Sequence, residues 1–159
     1  MTATVLIGLG NVAMSDDGLG VHAIRDLRRR IGDHARDVEM IEGGTAGLML
    51  LPHLVDARRA IIVDAVDVGA AAGDLVRMRA DDPLQLRAAR MSTHEIGACD
   101  LIAAALLLGA DPEQIIVYGL QPSSVVVGST LSEPIALAMG SLVIQLEREV
   151  LGALSEDRK

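Results

Sequence analysis

Asp16, Asp17, Glu42, Asp64 and His94 stand out because each falls in or beside a short loop that follows an apolar run or precedes a helical one. Asp17, Asp64 and His94 come from three such loops. Two carboxylates and an imidazole suit a divalent transition metal such as nickel or zinc, and three protein ligands leave coordination positions open for chemistry or recognition. Asp16, next to them, is a further carboxylate that could act as a base. Each residue also has a plainer use. Asp16 or Asp17 can cap a helix N-terminus, worth about 1 kcal/mol; Asp64 can pair with an arginine; His94, between Thr93 and Glu95, can sit exposed at a helix entry. Asp64 is the hardest to explain this way. An acid directly after Ile61-Ile62-Val63 risks burial, and then requires a partner or a cation.

The remaining reactive side chains carry less. His22 lies inside a helical segment five positions after Asp17, and His34 and His53 sit in polar surroundings. Cys99 is the lone cysteine, so an internal disulfide and a multi-cysteine zinc site are both excluded, and it reads as a small packing hydrophobe. Arg28-Arg29-Arg30 closes a helix, where cations complement the dipole.

A second chemistry competes for the first loop. Gly8-Leu9-Gly10-Asn11-Val12-Ala13 fits the G-x-G-x-x-A form of the dinucleotide-binding fingerprint, with Glu42 as a ribose-binding acid. Asp16-Asp17 opposes that reading, because two carboxylates fall where a pyrophosphate needs an electropositive pocket of free backbone N–H groups. A small dinucleotide-binding domain is therefore the weaker alternative.

These residues need elements to position them, and alternating apolar runs and helix-period segments imply an α/β fold with helices covering a largely parallel sheet. Strands are expected at Thr4–Ile7, Val38–Ile41, Ala60–Val63 and Ile115–Tyr118. A further strand over Gly73–Arg79 alternates Leu75, Arg77 and Arg79 with Val76 and Met78, which suits an edge with one wetter face. Helices are expected over 16–31, 48–55, 95–108 and 133–154, with Gln121–Ser132 irregular. In open parallel sheets the loops at the carboxyl ends of the strands converge on one crevice, and those loops carry the five candidates.

Composition narrows the function. The chain's 159 residues are sized for one domain, expected over 1–154 with 155–159 fraying. Fourteen basic against 22 acidic side chains leave a net charge of -8, the wrong sign for nucleic acid. A single aromatic residue, Tyr118, also removes the stacking platforms of single-strand binders. The longest apolar stretch, Leu101–Ala110, is too short for a bilayer span, and the first residues lack the basic region of a secretory signal, so a cytoplasmic location is expected.

Gly8-Leu9-Gly10-Asn11, Asp16-Asp17-Gly18-Leu19-Gly20, Glu42-Gly43-Gly44-Thr45-Ala46-Gly47, Asp64-Ala65 and Ser92-Thr93-His94-Glu95-Ile96-Gly97 occur in that order. Over about residues 3–150 this pattern resembles the hydrogenase maturation proteases, endopeptidases that remove a C-terminal extension from the [NiFe]-hydrogenase large-subunit precursor after nickel insertion. The resemblance implies a three-layer fold: a five-stranded, mostly parallel twisted sheet with one antiparallel edge strand and helices on both faces. It also implies that Asp17, Asp64 and His94 contact nickel supplied by the substrate, with no organic cofactor. The first metal position, often Glu in relatives, is Asp17 here, one methylene shorter. The expected partner is the large-subunit precursor, met by a monomer in a transient complex. A non-catalytic nickel-binding or chaperone module using the same three residues is the alternative.

Overall fold

The computed structural model describes residues 2–35, 37–82, 84, 86, 89, 97–111 and 114–156. Five strands form one sheet: β1 (Thr2–Leu9), β2 (Val38–Gly44), β3 (Ala57–Ala65), β4 (Leu75–Arg79) and β5 (Ile115–Leu120), in the order β2-β1-β3-β5-β4. All neighbours run parallel except β4, which lies antiparallel to β5 at the edge. Among the described residues, four α-helices cover it: α1 (Leu19–Ile31), α2 (Leu51–Asp56), α3 (Ala98–Leu107) and α4 (Glu133–Glu156). This is the three-layer α/β architecture that the apolar pattern and the family resemblance imply.

The strand period of two decides which residues serve which face. Leu6, Ile61, Val63, Ile116 and Tyr118 pack with Leu19, Ile24 and Leu27 of α1 and Ile135, Leu142 and Leu146 of α4. Their neighbours Val5, Ile7, Ala60, Ile62, Ile115 and Val117 pack on the other side with Leu54 of α2 and Leu101, Ile102 and Ala105 of α3. Both faces of the central strands are buried, so those strands read as unbroken apolar runs. On β4 only Met78 is buried, while Leu75, Arg77 and Arg79 are exposed, matching the alternation expected of an edge.

Several boundaries differ from the sequence expectation. β3 and β5 extend two residues further because they pair with each other there, Asp64 opposite Gly119 and Ala65 opposite Leu120, so Asp64 lies inside the β3 ladder. β2 continues through Glu42, Gly43 and Gly44, which were expected in a loop. The first helix begins at Leu19, not near residue 16, because Ser15–Gly18 tightens into a 3-10 turn. A second 3-10 turn, Gly47–Leu50, precedes α2. Among the described residues, no helix is long and apolar enough to cross a membrane.

Two close approaches seat the carboxyl ends of the strands against α1. A Cβ on Gly20 would stand 2.2 Å from the Val63 carbonyl oxygen and 2.4 Å from that of Leu9. Gly10, with φ +111°, brings its Cα so near the 3-10 turn that a Cβ would lie 1.7 Å from the Asp17 carbonyl oxygen. The glycines of the first two motifs therefore hold the acid-bearing turn down on the sheet.

Candidate active site

Asp64 points from β3 to the α2/α3 side of the sheet, the same side as Ala60 and Ile62. It is 1% exposed. Its Oδ1 accepts the Ala65 amide at 2.8 Å, and the Ala98 amide at the start of α3 also donates to the carboxyl. Among the described residues, Oδ2 is buried with no hydrogen-bond partner. Burial, then the neighbouring charge of Asp17, push the Asp64 pKa up to about 8, against the smaller opposing effect of those two amides. No arginine partner offsets this, so the salt-bridge explanation of Asp64 does not apply among the described residues.

Asp17 comes from the 3-10 turn and is also buried, with its Oδ2 accepting the Asn11 amide at 2.9 Å. The turn packs against β3, which places the Asp17 charge within electrostatic reach of Asp64. Two of the expected ligands are thus brought together on one rim. His94 lies outside the described residues; it precedes by four positions Ala98, whose amide holds Asp64. Neither acid caps α1: its N-cap is Gly18, with no side-chain cap.

Asp16 was expected as a free carboxylate, and the structure engages it instead. Its Oδ2 accepts the Ser123 amide at 2.9 Å, the Ser124 amide at 2.8 Å and the Ser132 hydroxyl at 2.8 Å, and Oδ1 accepts the Ser132 amide at 2.7 Å. Burial alone would raise its pKa, but the hydrogen bonds from Ser132, Ser124 and Ser123 outweigh it and hold the carboxyl below its ordinary range. Such a group stays ionised and has little capacity to take up a proton. Asp16 thereby fastens the segment after β5 to the turn that carries Asp17. Ser123, Ser124, Ser132 and Asn11 complete this frame and were not singled out from the sequence. The one signal for the three serines is that they fall in a stretch, 121–132, without a charged side chain.

Glu42 turns away from the two acids. It accepts Arg25 Nε at 2.9 Å and Arg28 Nη1 at 2.8 Å, and the Arg25 hydrogen bond leads the effects that lower its pKa. Cys99 is half-buried, and burial followed by the charges of Asp100 and Asp64 pushes its thiol up, which suits packing and not nucleophilic attack. The glycine-rich loop spends its amides internally: Gly10 donates to Gly44, Asn11 to Asp17, and Ala13 to the Asn11 side chain at 2.9 Å. Those donors are not free to cradle a pyrophosphate.

The fold and rim define an open α/β protein whose candidate site is a pair of buried, mutually repelling carboxylates, one with an oxygen that lacks a donor among the described residues. That oxygen suits a cation, which would satisfy it and relieve the repulsion at once. Comparison with known proteins places the chain within a family: residues 21–149 match the model described as hydrogenase maturation protease, and the chain belongs to that family. It is 43% identical over 121 residues to the hydrogenase expression/formation protein HupD of Rhodobacter capsulatus, covering 74% of this chain and 56% of that one. It is 30% identical over 123 residues to the hydrogenase 2 maturation protease of Escherichia coli, covering 76% and 73%. The match thus spans little more than half the length of HupD. The solved hydrogenase maturating endopeptidase HybD of E. coli superposes with a TM-score of 0.77 at 25% identity, covering 98% of this chain and 93% of that one.

Proposed function

We propose that this chain is an endopeptidase that trims the C-terminal extension of a [NiFe]-hydrogenase large-subunit precursor once nickel has been inserted, and that the precursor's own nickel is what it recognises. Family membership supports the protease class. The observation that carries the nickel reading is the buried Asp64 Oδ2, which has no donor among the described residues, beside Asp17. Asp17 and Asp64 would offer carboxylate oxygens to the ion in the precursor, and His94 would add an imidazole nitrogen. A bound divalent ion can polarise a carbonyl or lower the pKa of a water. The chain's part is to hold the two carboxyl groups side by side in a buried site, where an arriving ion would displace the proton that burial and the Asp17 charge keep on Asp64. Asp16 serves as a positioning residue, its carboxylate being occupied by Ser123, Ser124 and Ser132.

Incubation of the protein with nickel-loaded and nickel-free precursor, followed by mass analysis, tests this. Cleavage of the loaded form alone is expected, and His94→Ala and Asp64→Asn variants should lose processing while remaining folded. Equal cleavage of both forms would refute nickel recognition. Nickel binding without cleavage of either form would favour a non-catalytic nickel-binding module.

A further inference from the structure

The segment after β5, Gln121 to Ser132, holds no charged side chain in a chain that carries 22 acidic and 14 basic ones. Its tip is Val125-Val126-Val127, exposed by 48%, 59% and 86%. Surface loops are ordinarily tipped with Gly, Asn, Asp or Ser, so three consecutive exposed β-branched residues are an unexplained apolar surface.

This tip is fastened down. Beyond the four hydrogen bonds to the Asp16 carboxylate, the Ser15 amide donates to the Gly128 carbonyl at 2.8 Å, the Gly128 amide to the Ala13 carbonyl at 2.9 Å, and the Asp16 amide to the Ser124 carbonyl at 3.2 Å. The Ser15 hydroxyl adds a bond to the Val126 carbonyl at 2.8 Å. Ser15 adopts φ +50° in making these contacts, a conformation that a non-glycine residue takes only under constraint. A backbone tied at both flanks of the valines presents them in a set arrangement, so a partner meets them without ordering the loop first. The ties land on residues 13–16, immediately before Asp17, and Val12, 36% exposed, adjoins Ala13 in the same loop.

We propose that Val125–Val127 is a fixed apolar ledge on which an uncharged, apolar stretch of the precursor docks, leading its metal-bearing end to Asp17 and Asp64. This rests on the processing reading above. The charge pattern selects the occupant: a neutral ledge fastened to the turn that ends in Asp17 fits a segment that is apolar along its length and cationic only at the end that meets the acids. A second copy of this chain, with its net charge of -8, would meet the acidic end with like overall charge.

The test uses the full chain and nickel-loaded precursor. Both the affinity for precursor and the kinetics of cleavage are measured for the wild type, for a Val126→Ser/Val127→Ser double variant, and for Leu137→Ser, a control at a 77% exposed site on α4. The double variant should weaken precursor binding and raise KM about tenfold with kcat and thermal melting unchanged, since both side chains are exposed and their burial occurs only on docking. Leu137→Ser should match the wild type. Unchanged affinity in the double variant, or an equal loss in the control, overturns the ledge. Tenfold weaker binding with no cleavage by the wild type would retain the ledge and sink the processing reading. A wild-type dimer that the double variant dissolves would assign the ledge to a second copy and overturn the proposal.

Discussion

Asp64→Asn tests the electrostatics of the site without reference to any ligand. The amide is isosteric with the protonated acid and can keep the acceptor oxygen that faces the Ala65 and Ala98 amides. In the wild type the group titrates near 3.8 when unfolded and at about 8 when folded, so between those values the native state holds a proton that the unfolded state has released. Stability therefore falls as pH rises, by about 1.4 kcal/mol for each pH unit over that window, on the order of 5 kcal/mol in all. The Asn variant lacks this slope. Chemical denaturation of both proteins at about pH 5 and about pH 8 should show the variant gaining on the wild type by on the order of 4 kcal/mol between the two. Because both proteins share every other titrating group, the difference isolates Asp64. A difference constant to within about 1 kcal/mol would mean that Asp64 ionises normally, and that the site is neither dry nor charged by Asp17 as described.

Two further predictions concern the frame. Asp16→Ala strands the amides of Ser123, Ser124 and Ser132 and the Ser132 hydroxyl, and should cost about 3 kcal/mol, read as a drop of roughly 10 °C in Tm at neutral pH. The Asp16 pKa is depressed, so its contribution is present above the unfolded value of 3.8 and is lost as pH falls below it; a variant whose Tm deficit persists unchanged into that acid range would contradict the assignment. Gly20→Ala should destabilise by more than about 3 kcal/mol or prevent folding, because its Cβ meets the Val63 and Leu9 carbonyl oxygens, whereas Gly140→Ala on α4, with nothing within 4 Å, should be neutral or stabilise by up to about 1 kcal/mol. Equal Tm values for the two variants would refute the close approach of α1 to the sheet.

Much of this was legible in local pattern. The runs Val5–Ile7, Ala60–Val63 and Ile115–Tyr118 announce buried strands because both of their faces are covered, and the mixed alternation of Leu75–Arg79 announces an edge. Asp64 was readable as a burdened acid from its place after three apolar residues, and burial bears that out. What escaped depends on contacts distant in the chain. Asp16 and Asp17 look interchangeable as neighbours, yet Asp16 meets partners 107 to 116 positions away while Asp17 accepts an amide only six positions back. No spacing rule separates them. Helix capping was the natural expectation for a pair of acids before a helix, and it failed because each carboxylate had a stronger claim on it elsewhere. Similarly, β2 runs on through two glycines because its pairing with β1 supplies what their intrinsic preference lacks.

That division of labour between adjacent acids makes the length of the Gly10–Asp17 loop more tightly constrained than its composition. Deleting one residue there would present Asp17 to the serines and leave Gly18 in its place beside Asp64; inserting one would turn Asp16 toward Asp64 and leave the serine amides without their carboxylate. Substitutions along the loop leave that spacing intact; insertions and deletions do not.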